Sequence, residues 1–235
     1  MTCVLTVGVD LAAADQRTAI AAIGWSPSGA EVRDVAVGVG DDRIVEAFTT
    51  ADKVGVDCPV GWPVPFVDLV AGRAAAPADT GVRWRHSLAW RTTDDVVWKG
   101  DGILPLSVSA DRIAHAAFRC AGILARLNEP LDGSGVLAEV YPAAALRRWG
   151  ISYKGLKAHD VIVDALKERD WLDLGGHEDL MRRSRDATDA VVAALVARAA
   201  AVGRGTRPGP EHEAVVKSEG WIVLPIGSLD DLDPR

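Results

Sequence analysis

The chain has 235 residues, of which 49% are hydrophobic and 25% charged, and its net charge is −7. That is enough apolar material for one substantial core. The acidic balance excludes indiscriminate binding to polyanions, which needs clustered cations, but it leaves room for a local basic groove.

The elements follow in chain order. Residues 3–9 read as a buried strand, short, apolar and rich in Val. Residues 18–25 predict a second strand, Ser26-Pro27-Ser28-Gly29 a turn, and residues 31–38 a third strand by alternation. Asp41 and Asp42 open a short helix to Ala51, and residues 53–56 return as a strand. The order β-β-β-α-β predicts a mixed sheet. Cys58-Pro-Val-Gly-Trp-Pro-Val-Pro65 is a rigid loop, and residues 66–75 are helical. Residues 77–102, polar and Trp-rich without periodicity, are expected to form an irregular insertion. Residues 109–127 predict a helix with Ser109 as its N-cap and Asp111 in its first turn. A strand over 135–140, helices over 142–149, 159–169 and 184–201, a linker over 203–209 and a last short strand over 221–224 complete the chain. One domain spanning 1–235 is expected.

Three strands carry a carboxylate in an apolar run. The tetrapeptide Val-Gly-Val-Asp ends two of them, at Asp10 and Asp57, and Val136-Leu-Ala-Glu139-Val supplies the third. A buried acid is costly unless paired or bound to a cation. Strands lie about 5 Å apart, so acids at matching heights repel, and a divalent cation resolves the repulsion. Asp186 and Asp189, three apart near a helix start, share a face. They are first-turn acids complementing the dipole, or they face the strand acids. Oxygen ligands without nearby His or Cys suit Mg²⁺ or Mn²⁺. Two such ions can activate water and stabilise a leaving oxygen in phosphoryl transfer.

Other signals are weaker. Gly38-Val-Gly40 begins like a dinucleotide fingerprint but lacks the third glycine and the βαβ setting, and P-loop and nucleophile-elbow motifs are absent. Between Arg83 and Lys99, the cations Arg83, Arg85 and Arg91 interleave with Trp84, Trp90 and Trp98 around His86. Such a mixture suits phosphates with stacked bases, or tryptophans packed on a core with their charges in water. Arg182, Arg183 and Arg185 either neutralise a phosphate or form a solvated helix entry. Cys3, Cys58 and Cys120 stand far apart and give neither a disulfide framework nor a zinc knuckle. Reduced thiols in a cytoplasmic protein are expected. No basic n-region with a long apolar stretch opens the chain, and the apolar run at 190–202 is too short to span a bilayer, so no membrane association is expected.

These motifs resemble the RNase H-like nuclease superfamily, and Asp186-Ala-Thr-Asp189-Ala-Val-Val-Ala-Ala is similar to the corresponding helix of RuvC-type Holliday junction resolvases. The closer resemblance is to a bacterial and archaeal family of predicted nucleases, domain of unknown function 429. It runs through Gly8-Val-Asp10, Asp57-x-Pro59-x-Gly61-x-Pro63, Arg91-x-Thr-Asp94, Glu139-Val-Tyr-Pro142, Asp186-x-x-Asp189-Ala and Glu219-Gly-Trp-Ile-x-x-Pro225. It covers nearly the whole chain.

The resemblance implies an RNase H-like α/β fold, a mixed five-stranded sheet with its first three strands antiparallel and helices on its flanks. It implies a Mg²⁺- or Mn²⁺-dependent nuclease with catalytic residues Asp10, Asp57, Glu139, Asp186 and Asp189. The metal ligands are expected among Asp10, Glu139, Asp189 and Asp57, with Asp57 and Glu139 competing for the second position. Arg91, Asp94, Arg85 and Trp90 are expected to meet a DNA or RNA substrate, and a homodimer is compatible. A sugar-kinase-like phosphotransferase and a non-catalytic binding module on the same fold are the alternatives.

Overall fold

The computed structural model describes residues 4–152, 154–155 and 157–235. Cys3, the first residue of the first predicted strand, lies outside them. Strands β1 (Val4–Asp10), β2 (Ala19–Ser26) and β3 (Gly29–Val37) form an antiparallel meander. Helix α1 (Asp41–Thr50) then crosses to β4 (Lys53–Asp57), which lies parallel to β1. Helices α2 (Val64–Val70), α3 (Val82–Ala89), α4 (Thr92–Asp101) and α5 (Ala114–Leu124) precede β5 (Leu137–Val140), which is parallel to β4. After α6 (Pro142–Arg148) and α7 (Ala158–Lys167), the short β6 (Leu172–Asp173) joins the far side of β3. Helices α8 (Glu178–Arg183), α9 (Arg185–Ala201) and α10 (Glu213–Glu219) lead to β7 (Ile222–Val223) beside β5. The fold is a mixed α/β arrangement on a seven-stranded sheet of order β6-β3-β2-β1-β4-β5-β7.

Strand parity sorts the core into two layers. Ala19, Ala21, Ile23, Ala138 and Val140 face the layer that holds α9. Val7, Val9, Val54, Val56 and Leu137 face the opposite layer with α1 and α5. Helix α9 is buried on nearly every side, so it lacks an amphipathic stripe and behaves as a central helix. The Ser184 hydroxyl caps it, accepting the Ala187 N–H at 3.2 Å.

Small residues let α9 lie almost against the backbone of the sheet. A Cβ added at Gly8 would stand 2.0 Å from the Ala190 carbonyl oxygen, and one added at Gly55 would stand 2.5 Å from that of Ala193. Gly8 and Gly55 are register partners on β1 and β4. Both glycines of the repeated tetrapeptide therefore serve one purpose, a seat for α9.

Several expectations are corrected. The sheet has seven strands and not the five of the resemblance: β7 falls within the short strand expected over 221–224, and β6, only two residues long, is too short to show alternation. Residues 77–102 are largely ordered as α3 and α4. Helix α4 was hidden because its capping box starts from Arg91, whose N–H donates to Asp94 Oδ2 at 2.9 Å, instead of from Ser, Thr, Asp or Asn. Ser109 caps no helix: its hydroxyl donates to the Leu88 carbonyl at 2.6 Å, and α5 starts five residues later. Cys58 and Cys120 are buried free thiols. Among the described residues, no helix is long and apolar enough to cross a membrane.

Candidate carboxylate site

β1 and β4 end together. Asp10 and Asp57 are register partners at the last ladder position of two adjacent parallel strands. Each stands two residues beyond its glycine, so both project to the face occupied by α9. Helix α9 runs from this edge, and its first turns carry Asp186 and Asp189.

The strand ends are braced from below. After Asp10 the chain turns under Thr18 and Arg119. Arg119 donates to the Ala12 carbonyl at 3.0 Å, to the Thr18 hydroxyl at 2.7 Å and to the Val39 carbonyl at 3.1 Å. After Asp57, Gly61 passes so close to the end of α10 that a Cβ would stand 2.3 Å from the Ser218 carbonyl oxygen. Both carboxylates thus sit on stiff supports.

Their electrostatics are unusual. Among the described residues, neither the Asp10 nor the Asp57 side chain has a hydrogen-bond donor or an ion-pair partner. Burial, then Asp189 and Asp186, push the Asp10 pKa from 3.8 up to about 8. Burial, then Asp10 and Asp189, push Asp57 well above the usual carboxylate range. Two carboxylates this close, with no donor from the protein, must hold a proton or a cation. Burial also raises Asp189, and Arg185 opposes it.

The rim acids are differently placed. Asp186 is paired with Arg17 through contacts of 2.8 and 3.1 Å, and Asp189 with Arg185 at 3.1 Å. Both arginine side chains are exposed, at 73% and 62%, so these pairs are weak and open easily.

Glu139 does not join this group. Its register partner is Val56, so it projects to the face opposite Asp57. There it is forked by Arg91, with Nη1–Oε2 at 2.8 Å and Nη2–Oε1 at 2.7 Å, and it accepts the Val60 N–H at 3.3 Å. The same guanidinium holds Asp94 through contacts of 3.2 and 2.9 Å and donates to the Glu219 carbonyl at 3.0 Å. Burial works against the Arg91 charge, and the Glu139 and Asp94 carboxylates outweigh it. Burial raises the Glu139 pKa, and the guanidinium forked on both its oxygens opposes the rise. Of the two residues expected to compete for the place beside Asp10, only Asp57 shares its face of the sheet.

The expected substrate contacts divide in the same way. Arg91 and Asp94 are 1% and 0% exposed, so they form an internal clamp and line no entrance. Arg85 is exposed on α3. Trp90 is half-buried, donates its indole N–H to the Pro105 carbonyl at 3.1 Å and stacks on His86. His86 in turn bonds Asp95 at 2.7 Å.

Residues 8–213 match the family described as Protein of unknown function (DUF429). The chain belongs to the DUF429 family. No curated protein and no solved structure matches it. In this DUF429 member, the residues singled out in the sequence separate into two structural groups. Asp10, Asp57, Asp186 and Asp189 gather at the open strand ends, and Arg91, Asp94, Glu139 and Glu219 form the buried clamp behind them.

Glu219, one of the motif residues, takes no part at the strand ends. It is 3% exposed, and its oxygens accept the N–H groups of Val64 at 2.9 Å and Thr92 at 2.7 Å. Sequence reasoning missed the supporting roles of Thr18 and Arg119, which no local pattern marks. It also missed the role of the glycines, although the repeated spacing of Gly and Asp was the signal for it.

As the side chains stand, no three His, Cys, Asp or Glu among the described residues are arranged to hold a metal ion. The donor chemistry of the strand ends still fits a hard divalent cation. Asp10 and Asp57 offer oxygens that no donor among the described residues occupies, and Asp189 needs only to leave an exposed arginine.

Proposed function

We propose that this protein is a Mg²⁺- or Mn²⁺-dependent phosphodiesterase acting on nucleic acid, on an RNase H-like scaffold. The observation that carries the reading is the pair Asp10 and Asp57, adjacent in register and without a donor among the described residues. The strand order β3-β2-β1-β4-β5, with an antiparallel meander joined to parallel strands, supports the scaffold.

Asp10 and Asp57 would hold the cation, and Asp189 would add a further oxygen once Arg185 releases it. When bound, the cation would lower the pKa of water and stabilise charge on the phosphate oxygens. Asp186 keeps Arg17 at the rim, where a guanidinium can meet a phosphate. Thr18 and Arg119 hold the turn after Asp10, which fixes the direction of its carboxylate.

A second reading, a non-catalytic binding module, is favoured by one observation. Glu139, Asp186 and Asp189 are each neutralised by an arginine. Crystals soaked in Mn²⁺, with parallel cleavage assays on DNA and RNA, separate the two. The phosphodiesterase requires an anomalous peak between Asp10 and Asp57 and cleavage that EDTA and Asp10→Asn each abolish. No peak at millimolar Mn²⁺, or cleavage that survives EDTA, refutes it. A peak without cleavage of either nucleic acid selects the binding module.

A further inference from the structure

A cavity of about 900 Å³ opens at the edge of the sheet opposite the carboxylates, where β1 and β4 begin. Lys53, Arg198, Arg207 and Lys217 reach it from four separate segments. Among the described residues, none of the four is in an ion pair. In a chain whose net charge is −7, four cations gathered at one cavity outside any ion pair among the described residues call for a physical explanation.

Lys53 is the most telling. It is only 6% exposed, and its ammonium group donates to the carbonyls of Gly133 at 2.6 Å and Gly135 at 2.5 Å. Two carbonyl dipoles do not neutralise a buried charge, and an ammonium has a third donor. Burial lowers the Lys53 pKa and Arg207 adds to this, while Glu129 and Asp132 oppose it.

Arg198 lies over the Trp25 ring at 4.6 Å, and its Nε–H is buried without an acceptor. Burial lowers its pKa as well. The carbonyls of the last turn of α9 would repel an anion here. Those of Arg198, Ala199 and Ala200 are already occupied by the N–H groups of Val202, Arg204 and Gly203.

Three carboxylates also line the cavity, Asp52, Asp132 and Glu213. Asp52 accepts the Leu5 N–H at 2.7 Å and Asp132 the Ser134 N–H at 2.9 Å. Against the four lining cations these three carboxylates leave one positive charge in excess, and Lys217 acts on Asp132.

We propose that this cavity is a binding site for a phosphate-bearing small molecule the size of a nucleoside monophosphate. Lys53 and Arg198 supply the inner donors, Arg207 and Lys217 close over the anion, and Ser134 and Thr206 offer hydroxyls. A phosphate can accept from several directions at once, which matches donors arriving from separate segments. The volume lies within the range of small-molecule sites, about 300–1,000 Å³. Val202, Val216 and Val223 provide an apolar wall for the remainder of the ligand.

The test uses the full-length protein in EDTA, so that the carboxylate edge plays no part. Thermal shift and calorimetry are run with inorganic phosphate, adenosine monophosphate and adenosine at constant ionic strength. Phosphate and adenosine monophosphate should raise Tm and adenosine should not. The exposed pair Arg207→Ala with Lys217→Ala should weaken binding by at least about tenfold and leave the ligand-free Tm unchanged. Asp10→Asn should bind as the wild type does, which keeps this site independent of the phosphodiesterase reading. The proposal is overturned if millimolar phosphate and adenosine monophosphate leave Tm unmoved. It is equally overturned if the shift survives the double substitution, or if adenosine matches its monophosphate.

Discussion

Asp10→Asn should make the metal-free protein more stable at alkaline pH, although it removes the residue most central to the site. In the folded chain the Asp10 pKa rises from 3.8 to about 8, chiefly through burial. A carboxylate whose pKa is raised on folding binds more protons in the native state than in the unfolded one. Stability is then fully present below the unfolded pKa and falls as pH climbs through the interval between the two values. At about 1.4 kcal/mol per pKa unit, the interval bounds the cost of charging Asp10 at roughly 5–6 kcal/mol. Asp57 shares the same proton and solvent reaches the pair in part, so about 2–4 kcal/mol is the expected gain. Asparagine keeps the shape and carries no charge. Urea denaturation in EDTA across the acid-to-alkaline range reads the effect directly. The variant should match the wild type near about pH 4 and exceed it increasingly toward about pH 9. Millimolar Mn²⁺ should reverse the order by stabilising the wild type alone. Equal or lower stability of the variant at alkaline pH would refute the account of Asp10 as an uncompensated acid.

The remaining expectations concern the supports of the site. Arg91→Leu leaves Asp94 and Glu139 buried without a cation and should cost about 3–5 kcal/mol, measured by chemical denaturation; Arg91→Lys should recover only part, since an ammonium cannot fork two carboxylates. Gly8→Ala drives a methyl group into the α9 backbone and should destabilise by about 1–3 kcal/mol or more, whereas Gly122→Ala, in α5 with open space beside it, should stabilise by about 0.5–1 kcal/mol. Calorimetric Mn²⁺ affinity should strengthen as pH rises toward about 8 with proton release on binding, because the cation displaces the proton held by Asp10 and Asp57; a pH-independent affinity would count against that pair as ligands.

The strands that position the site were legible because each buries a face and so prints a pattern. β1, β2 and β4 start or end within a residue or two of their expected bounds. Asp10 and Asp57 were visible as acids ending apolar runs. Glu139 was misread for a physical reason: an acid in an apolar run looks the same whichever face it takes, and only register fixes the face. The Arg91 clamp was equally opaque, since its partners lie 48 and 128 residues away along the chain. Of its contacts, only the short-range bond to Asp94 leaves a local trace. The cationic cavity left no trace at all, because Lys53, Arg198, Arg207 and Lys217 belong to no common motif.

The clamp also orders events in time. Its guanidinium is matched only when β5 and the end of α10 have both arrived, and the Val64 and Thr92 amides wait for Glu219 as well, 155 and 127 residues downstream. Closing such long loops carries an entropic cost that must be met before the contacts repay it. A chain emerging from the ribosome can pair β1 with β2 and β3 early. The layer carrying Arg91 stays uncompensated until Glu219 is out. This domain should therefore reach its native state as a single event once Glu219 has been made, and a nascent chain stopped before Glu219 should remain open to protease at the Pro59–Pro65 loop and at α4.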